Sequence, residues 1–125
     1  MTVRDLPPRI LVLGLGRSGE AVARYLVEER AAGEDVTVRV VDEGSGAALE
    51  EKARALRALG VDVALGVSAV DGACDLVVAS PGIPPRSPLM ASARALGVEV
   101  VSEVELAYRR TRAPFVAVTG TNGKT

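Results

Sequence analysis

Short runs of branched apolar residues alternate along this chain with stretches of helical periodicity, and that alternation restricts it to few architectures. Residues 9–13 form an apolar run that ends in glycine, as suits a strand buried on both faces. Residues 18–31 then carry Val22, Tyr25 and Leu26 at helical spacing, with charge on the opposite side. A second strand is expected at 36–41, ending at Asp42, and a second helix at 47–59 through Leu49, Ala53, Leu56 and Leu59, with Gly60 as its stop. Further strands are expected at 61–65 and 75–79. Ser87 and Pro88 read as the N-cap and first position of a helix that runs to Leu96 and is closed by Gly97. A strand at 98–101 follows. Ser102 and Glu105 have the spacing of a capping box, with Ser102 accepting from the helix and Glu105 reaching back, ahead of a helix to about Arg110. A last strand is expected at 115–118.

Parallel neighbours need long crossover connections, so this order predicts an α/β fold: a Rossmann-like parallel sheet of about five strands with helices on both faces. In such sheets ligands bind outside the carboxyl ends of the strands. The polar, proline-terminated stretch 110–114 is expected to be a boundary, dividing a domain at 1–112 from the residues at 113–125.

Composition removes several functions. A net charge of −1 gives no general attraction to nucleic acid or anionic membrane, and 2% aromatic residues supply no base-stacking platform. With no His and one Cys, the chain has almost no ligands for a transition metal. Cys74, beside an apolar run, reads as a buried, inert thiol, and the setting as reducing and cytoplasmic. The apolar runs are too short to span a bilayer, and the N-terminus lacks a basic segment followed by an apolar one.

Four motifs fall at strand ends. Gly14-Leu15-Gly16-Arg17-Ser18-Gly19 is a GxGxxG turn directly after the first strand. Gly14 permits the turn, Gly16 lets a diphosphate approach the backbone, and Gly19 allows close helix-on-strand packing. Asp42, at the end of the second strand, is placed to accept from a ribose hydroxyl or a base edge, or to serve as a loop or capping aspartate. Ser80-Pro81-Gly82-Ile83 forms a proline-stiffened loop after the 75–79 strand, in which Gly82 allows close approach of a ligand. The fourth motif, Gly120-Thr121-Asn122-Gly123-Lys124-Thr125, is a variant phosphate loop: the usual GxxxxGK(S/T) would place glycine at 118, where Val118 stands. In the standard arrangement the Lys contacts the β and γ phosphates and the Thr hydroxyl binds Mg²⁺.

Taken in order, the GxGxxG turn, Asp42, Ser80-Pro81-Gly82-Ile83, Ser102-Glu103-Val104-Glu105-Leu106 and the Gly120 to Thr125 loop resemble the start of the Mur ligases. The Ser80 loop favours the member of that family that adds D-glutamate. The resemblance implies a multidomain cytoplasmic enzyme of peptidoglycan synthesis. ATP and Mg²⁺ would activate the carboxylate of UDP-N-acetylmuramoyl-L-alanine to an acyl phosphate, which the D-glutamate amine attacks. It places the UDP diphosphate at Gly14 to Gly19, with the backbone of Leu15, Gly16, Arg17 and Ser18 and the Ser18 hydroxyl as donors. Asp42, Ser80, Pro81 and Gly82 would receive the uracil and ribose end. Gly120, Thr121, Asn122, Gly123, Lys124 and Thr125 would hold ATP, with Thr125 on Mg²⁺. Residues 113–125 would then begin a central ATPase domain, and the 125 residues alone are expected to be inactive. One departure stands out: relatives often follow the strand-two Asp with a hydroxyl and a basic residue, where this chain has Glu43 and Gly44. Two other readings compete. The GxGxxG turn and Asp42 also suit a nicotinamide-dinucleotide domain of an oxidoreductase or regulatory protein, and the terminal loop could be incidental in a non-catalytic protein.

Overall fold

In the computed structural model, residues 6–70 and 73–110 are described. Nine elements follow one another: β1 (Arg9–Leu13), α1 (Arg17–Ala31), β2 (Thr37–Asp42), α2 (Ala47–Ala58), β3 (Asp62–Leu65), β4 (Leu76–Ala79), α3 (Pro88–Arg94), β5 (Glu99–Ser102) and α4 (Glu103–Arg110). The five strands form one parallel sheet in the order β3-β2-β1-β4-β5. β1 is central, with Leu13 beside Val41 on one flank and Ala79 on the other.

Because side chains alternate along a strand, β1 feeds two cores. Ile10 and Val12 face α1, α2 and α4, meeting Leu26, Leu56 and Leu106. Leu11 and Leu13 face α3, meeting Leu89, Met90 and Ala93. Both faces of the sheet are covered by helices, as the alternation predicts. The connection from β3 to β4 crosses the second face without a helix among the described residues, and sends Val70 and Cys74 into that core instead. Ser92 on α3 ties it down by accepting from the Val70 N–H at 2.7 Å.

Local signals account for most boundaries. Helix α2 ends in a Schellman turn, with Gly60 N–H donating to Arg57 O and Val61 N–H to Leu56 O. Ser87 caps α3 by accepting from the Met90 N–H, with Pro88 as its first residue. That helix stops at Arg94, two residues before the expected Leu96. The capping box at α4 is half formed. Ser102 Oγ accepts from the Glu105 N–H at 3.0 Å, but the Glu105 carboxylate pairs with Arg109 Nε at 2.8 Å, a stronger charged partner than a backbone N–H. The expected strand at 115–118 and boundary at 113 lie outside the described residues.

The chain leaves β1 toward β2 on one side and returns as β4 on the other. The strand order therefore reverses between β1 and β4, and their carboxyl ends flank the crevice where open parallel sheets take ligands.

Candidate functional site

The turn from β1 into α1 is held from both sides. Gly14 N–H donates to Val41 O at 2.7 Å, and Leu15 N–H donates to Asp42 Oδ2 at 2.6 Å. Gly14 has φ +97, in the left-handed region that glycine tolerates, and a Cβ there would meet Ser80 Cβ at 3.1 Å. At Gly19 a Cβ would stand 1.9 Å from Gly14 O, so the first turn of α1 lies directly on the turn that precedes it. Both glycines are demanded by the fold.

Gly16 is not. It caps α1 with φ −78 and ψ −168, a conformation open to any residue, and nothing among the described residues lies within 4 Å of a Cβ built on it. Among the described residues no side chain caps α1. The N–H groups of its first turn have no partner within the helix, and the helix dipole adds partial positive charge.

Opposite the turn, Ser80 N–H donates to Leu13 O at 3.0 Å, and Ile83 N–H closes a turn on Ser80 O at 3.1 Å. Gly82 stands on this loop outside the left-handed region, again with nothing among the described residues within 4 Å of a Cβ. Between the loops lies a cavity of about 340 Å³. Of the residues expected at the site, Gly14, Gly16, Asp42, Ser80 and Gly82 line it. Glu43, Gly44, Ile83 and Pro84 line it as well, without having been expected there. The β2 and β4 strand ends carry all four, so proximity to Asp42 and to the Ser80 loop was the only available signal.

Leu15, Arg17, Ser18, Gly19 and Pro81 are not part of this lining. The Leu15 side chain is fully buried, and its N–H, expected as a diphosphate donor, is committed to Asp42. Asp42 is itself heavily engaged: Oδ1 accepts from the Gly44 N–H at 2.7 Å while Oδ2 holds Leu15. It fastens the glycine turn to the β2 loop, and any ligand contact would use its remaining lone pairs. Glu43 Oε2 accepts from the Leu89 N–H of α3 at 3.0 Å, linking the β2 loop to α3.

Ser18 instead lines a second, larger groove of about 470 Å³ between α1 and α4, with Glu103 beside it and Tyr25 and Arg110 also on its walls. Burial pushes the Glu103 carboxyl above its ordinary value, and a hydrogen bond from Ser18 opposes that shift. Among the described residues no group of three or more His, Cys, Asp or Glu side chains could hold a metal, and no helix is long and apolar enough to cross a membrane. Gly120, Thr121, Asn122, Gly123, Lys124 and Thr125, expected to bind ATP and Mg²⁺, lie outside the described residues.

A parallel sheet with a glycine turn opening its first helix and a carboxylate-edged cavity at its switch point defines a Rossmann-like α/β domain. The chain belongs to the Mur ligases: residues 8–102 match the family model described as "Mur ligase MurD-like, N-terminal domain". Among similar proteins named UDP-N-acetylmuramoylalanine--D-glutamate ligase, that of Frankia casuarinae is 48% identical over 93% of this chain and 24% of its own length. That of Exiguobacterium sibiricum is 46% identical over 94% and 25%. That of Bacillus cytotoxicus is 40% identical over 99% and 27%. The chain thus spans about a quarter of the length of these relatives. None of them favours the oxidoreductase reading.

Proposed function

We propose that this domain receives the uridine diphosphate end of UDP-N-acetylmuramoyl-L-alanine for a ligase that adds D-glutamate to it. The observation that carries this reading is the pair Gly16 and Gly82. They line one cavity at the switch point, and neither conformation nor packing requires glycine at either position. What glycine supplies there is clearance for a ligand against the backbone. The diphosphate sits at the N-terminus of α1, where unpartnered N–H groups and the helix dipole favour an anion. The base and ribose lie toward Asp42 and Ser80.

In the longer protein, Gly120 to Thr125 would hold ATP, with Thr125 on Mg²⁺, and further domains would bring D-glutamate. ATP supplies the activation of the alanine carboxylate to an acyl phosphate. The described residues bind and orient the other end of the substrate. The setting is cytoplasmic, where this nucleotide-linked precursor is made.

Calorimetric titration of the chain with UDP-N-acetylmuramoyl-L-alanine, UDP, NAD and ATP tests the reading. Binding of the two uridine compounds, weakened at least about tenfold by Gly16→Val, is expected. Tight NAD binding with no response to UDP overturns it.

A further inference from the structure

Glu103 begins α4 at the carboxyl edge of the sheet, facing Ser18 in the first turn of α1. The Ser18 hydroxyl lies beside its carboxylate on the same groove and favours the ionised form. One of its oxygens, Oε2, is buried and has no hydrogen-bond partner among the described residues. No cation among the described residues compensates it. On α4, Arg110 at the far end of the groove donates to Tyr25 and Glu29, and Arg109 is held by Glu99 and Glu105. On α1, Ser18 and Tyr25 are the polar groups lining the groove, and Ala21 and Val22 between them are apolar.

This arrangement conflicts with an anion at the same turn. A serine hydroxyl has one hydrogen, and a carboxylate has none to return. A hydroxyl turned to the Glu103 carboxylate cannot also donate to a phosphate oxygen. Turning the hydroxyl away would leave a half-buried carboxylate, one of whose oxygens is already buried, beside a second anion. Protonating Glu103 removes both difficulties, because the neutral acid is the form that burial already favours.

We propose that Glu103 is a positioning residue for the ligand's diphosphate: on binding it takes one proton from solvent, donates it in a hydrogen bond to Ser18 Oγ, and so turns the Ser18 hydroxyl toward a phosphate oxygen. The inference rests on the diphosphate reading above. No covalent bond other than the carboxyl O–H is made.

The test is the affinity of the chain for UDP-N-acetylmuramoyl-L-alanine between about pH 5.5 and 8.5, in buffers of different ionisation enthalpy, so that proton uptake is read directly. The ligand's diphosphate is esterified at both ends and its carboxylate is ionised throughout, so a titrating group belongs to the protein. The dissociation constant should rise with pH, by up to about tenfold per unit, with net proton uptake. Glu103→Gln, whose amide donates to Ser18 permanently, should lose the slope and the uptake while binding at high pH at least as tightly as wild type. Ser18→Ala should bind more weakly and also lose the uptake. Wild-type affinity that ignores pH, or a Glu103→Gln variant that keeps the slope or binds more weakly at every pH, overturns the inference and leaves the diphosphate reading standing. Absence of binding by wild type and variants at every pH sinks both.

Discussion

The glycines of the turn from β1 into α1 make separable demands, and alanine substitutions at Gly16 and Gly19 expose them. At Gly19 the new Cβ meets Gly14 O at 1.9 Å and Gly14 C at 2.9 Å, so α1 and the turn must part by roughly 1 Å or more to restore ordinary contact. The turn cannot give freely. It is pinned by Gly14 N–H on Val41 O and by Leu15 N–H on Asp42, the second a charged bond of 2.6 Å. Losing the first costs about 1 kcal/mol and the second about 1.5–3 kcal/mol, against a gain of about 1 kcal/mol from alanine in a helix. With strain in a packed core included, Gly19→Ala should cost about 3 kcal/mol and lower Tm by roughly 10 °C.

Gly16→Ala has no such clash and an accessible φ, so its stability should stay within about 0.5 kcal/mol of wild type. Urea unfolding followed by circular dichroism, with midpoints compared at a common slope, measures both. Equal stability of the two variants would refute the reasoning, because it would mean that the close approach at Gly19 relaxes without loss.

Other perturbations read other parts of the structure. Asp42→Asn should destabilise the fold by about 2 kcal/mol in the same unfolding assay, since the amide nitrogen cannot accept from the second of the two N–H groups at Leu15 and Gly44. Arg110→Met should cost about 1–2 kcal/mol, less so in high salt, by removing the donor shared by Tyr25, Glu29 and Glu34. The folded Glu103 carboxyl lies above its ordinary 4.5, so it contributes stability that is present below that pH and is lost as pH rises through the folded value. Glu103→Gln should therefore raise Tm relative to wild type near neutral pH, with the difference vanishing near about pH 4. Burial pushes the Cys74 thiol up, so a thiol-reactive dye should label the native chain roughly 100-fold more slowly than the unfolded one.

Periodicity and turn chemistry were legible in the sequence because they act over a few residues. The stop at Gly60, the Ser87 cap and the clearance demanded at Gly19 are local, and each stands where the pattern places it. What joins distant segments was not legible. Leu15 and Asp42 are 27 residues apart, and Glu43 and Leu89 are 46 apart, so no local pattern says that these carboxylates are taken by backbone N–H groups. The same holds for Glu105: its spacing to Ser102 satisfies the box, but a nearby Arg109 competes for its carboxylate and wins. Strand order was also open, and with it the position of the switch point. Once β1 is central, the GxGxxG turn and the Ser80 loop become neighbours although 60 or more residues separate them.

On the proposed reading, the two kinds of end in this cavity would also orient the ligand. The rim formed by Asp42 and Glu43 carries carboxylates, whereas the first turn of α1 presents uncapped N–H groups and partial positive charge. A nucleoside diphosphate has a matching asymmetry, with hydrogen-bond donors on a neutral base and ribose at one end and a doubly charged group at the other. Reversed, it would place its phosphates against two carboxylates and its neutral end against the helix N-terminus. Stability of the fold requires the Asp42 carboxylate for its two backbone bonds, and that requirement fixes the charge of the rim independently of any ligand. On the proposed reading, the residue that fastens the glycine turn would also keep a phosphate from the base end, so that folding and ligand orientation would depend on the same side chain.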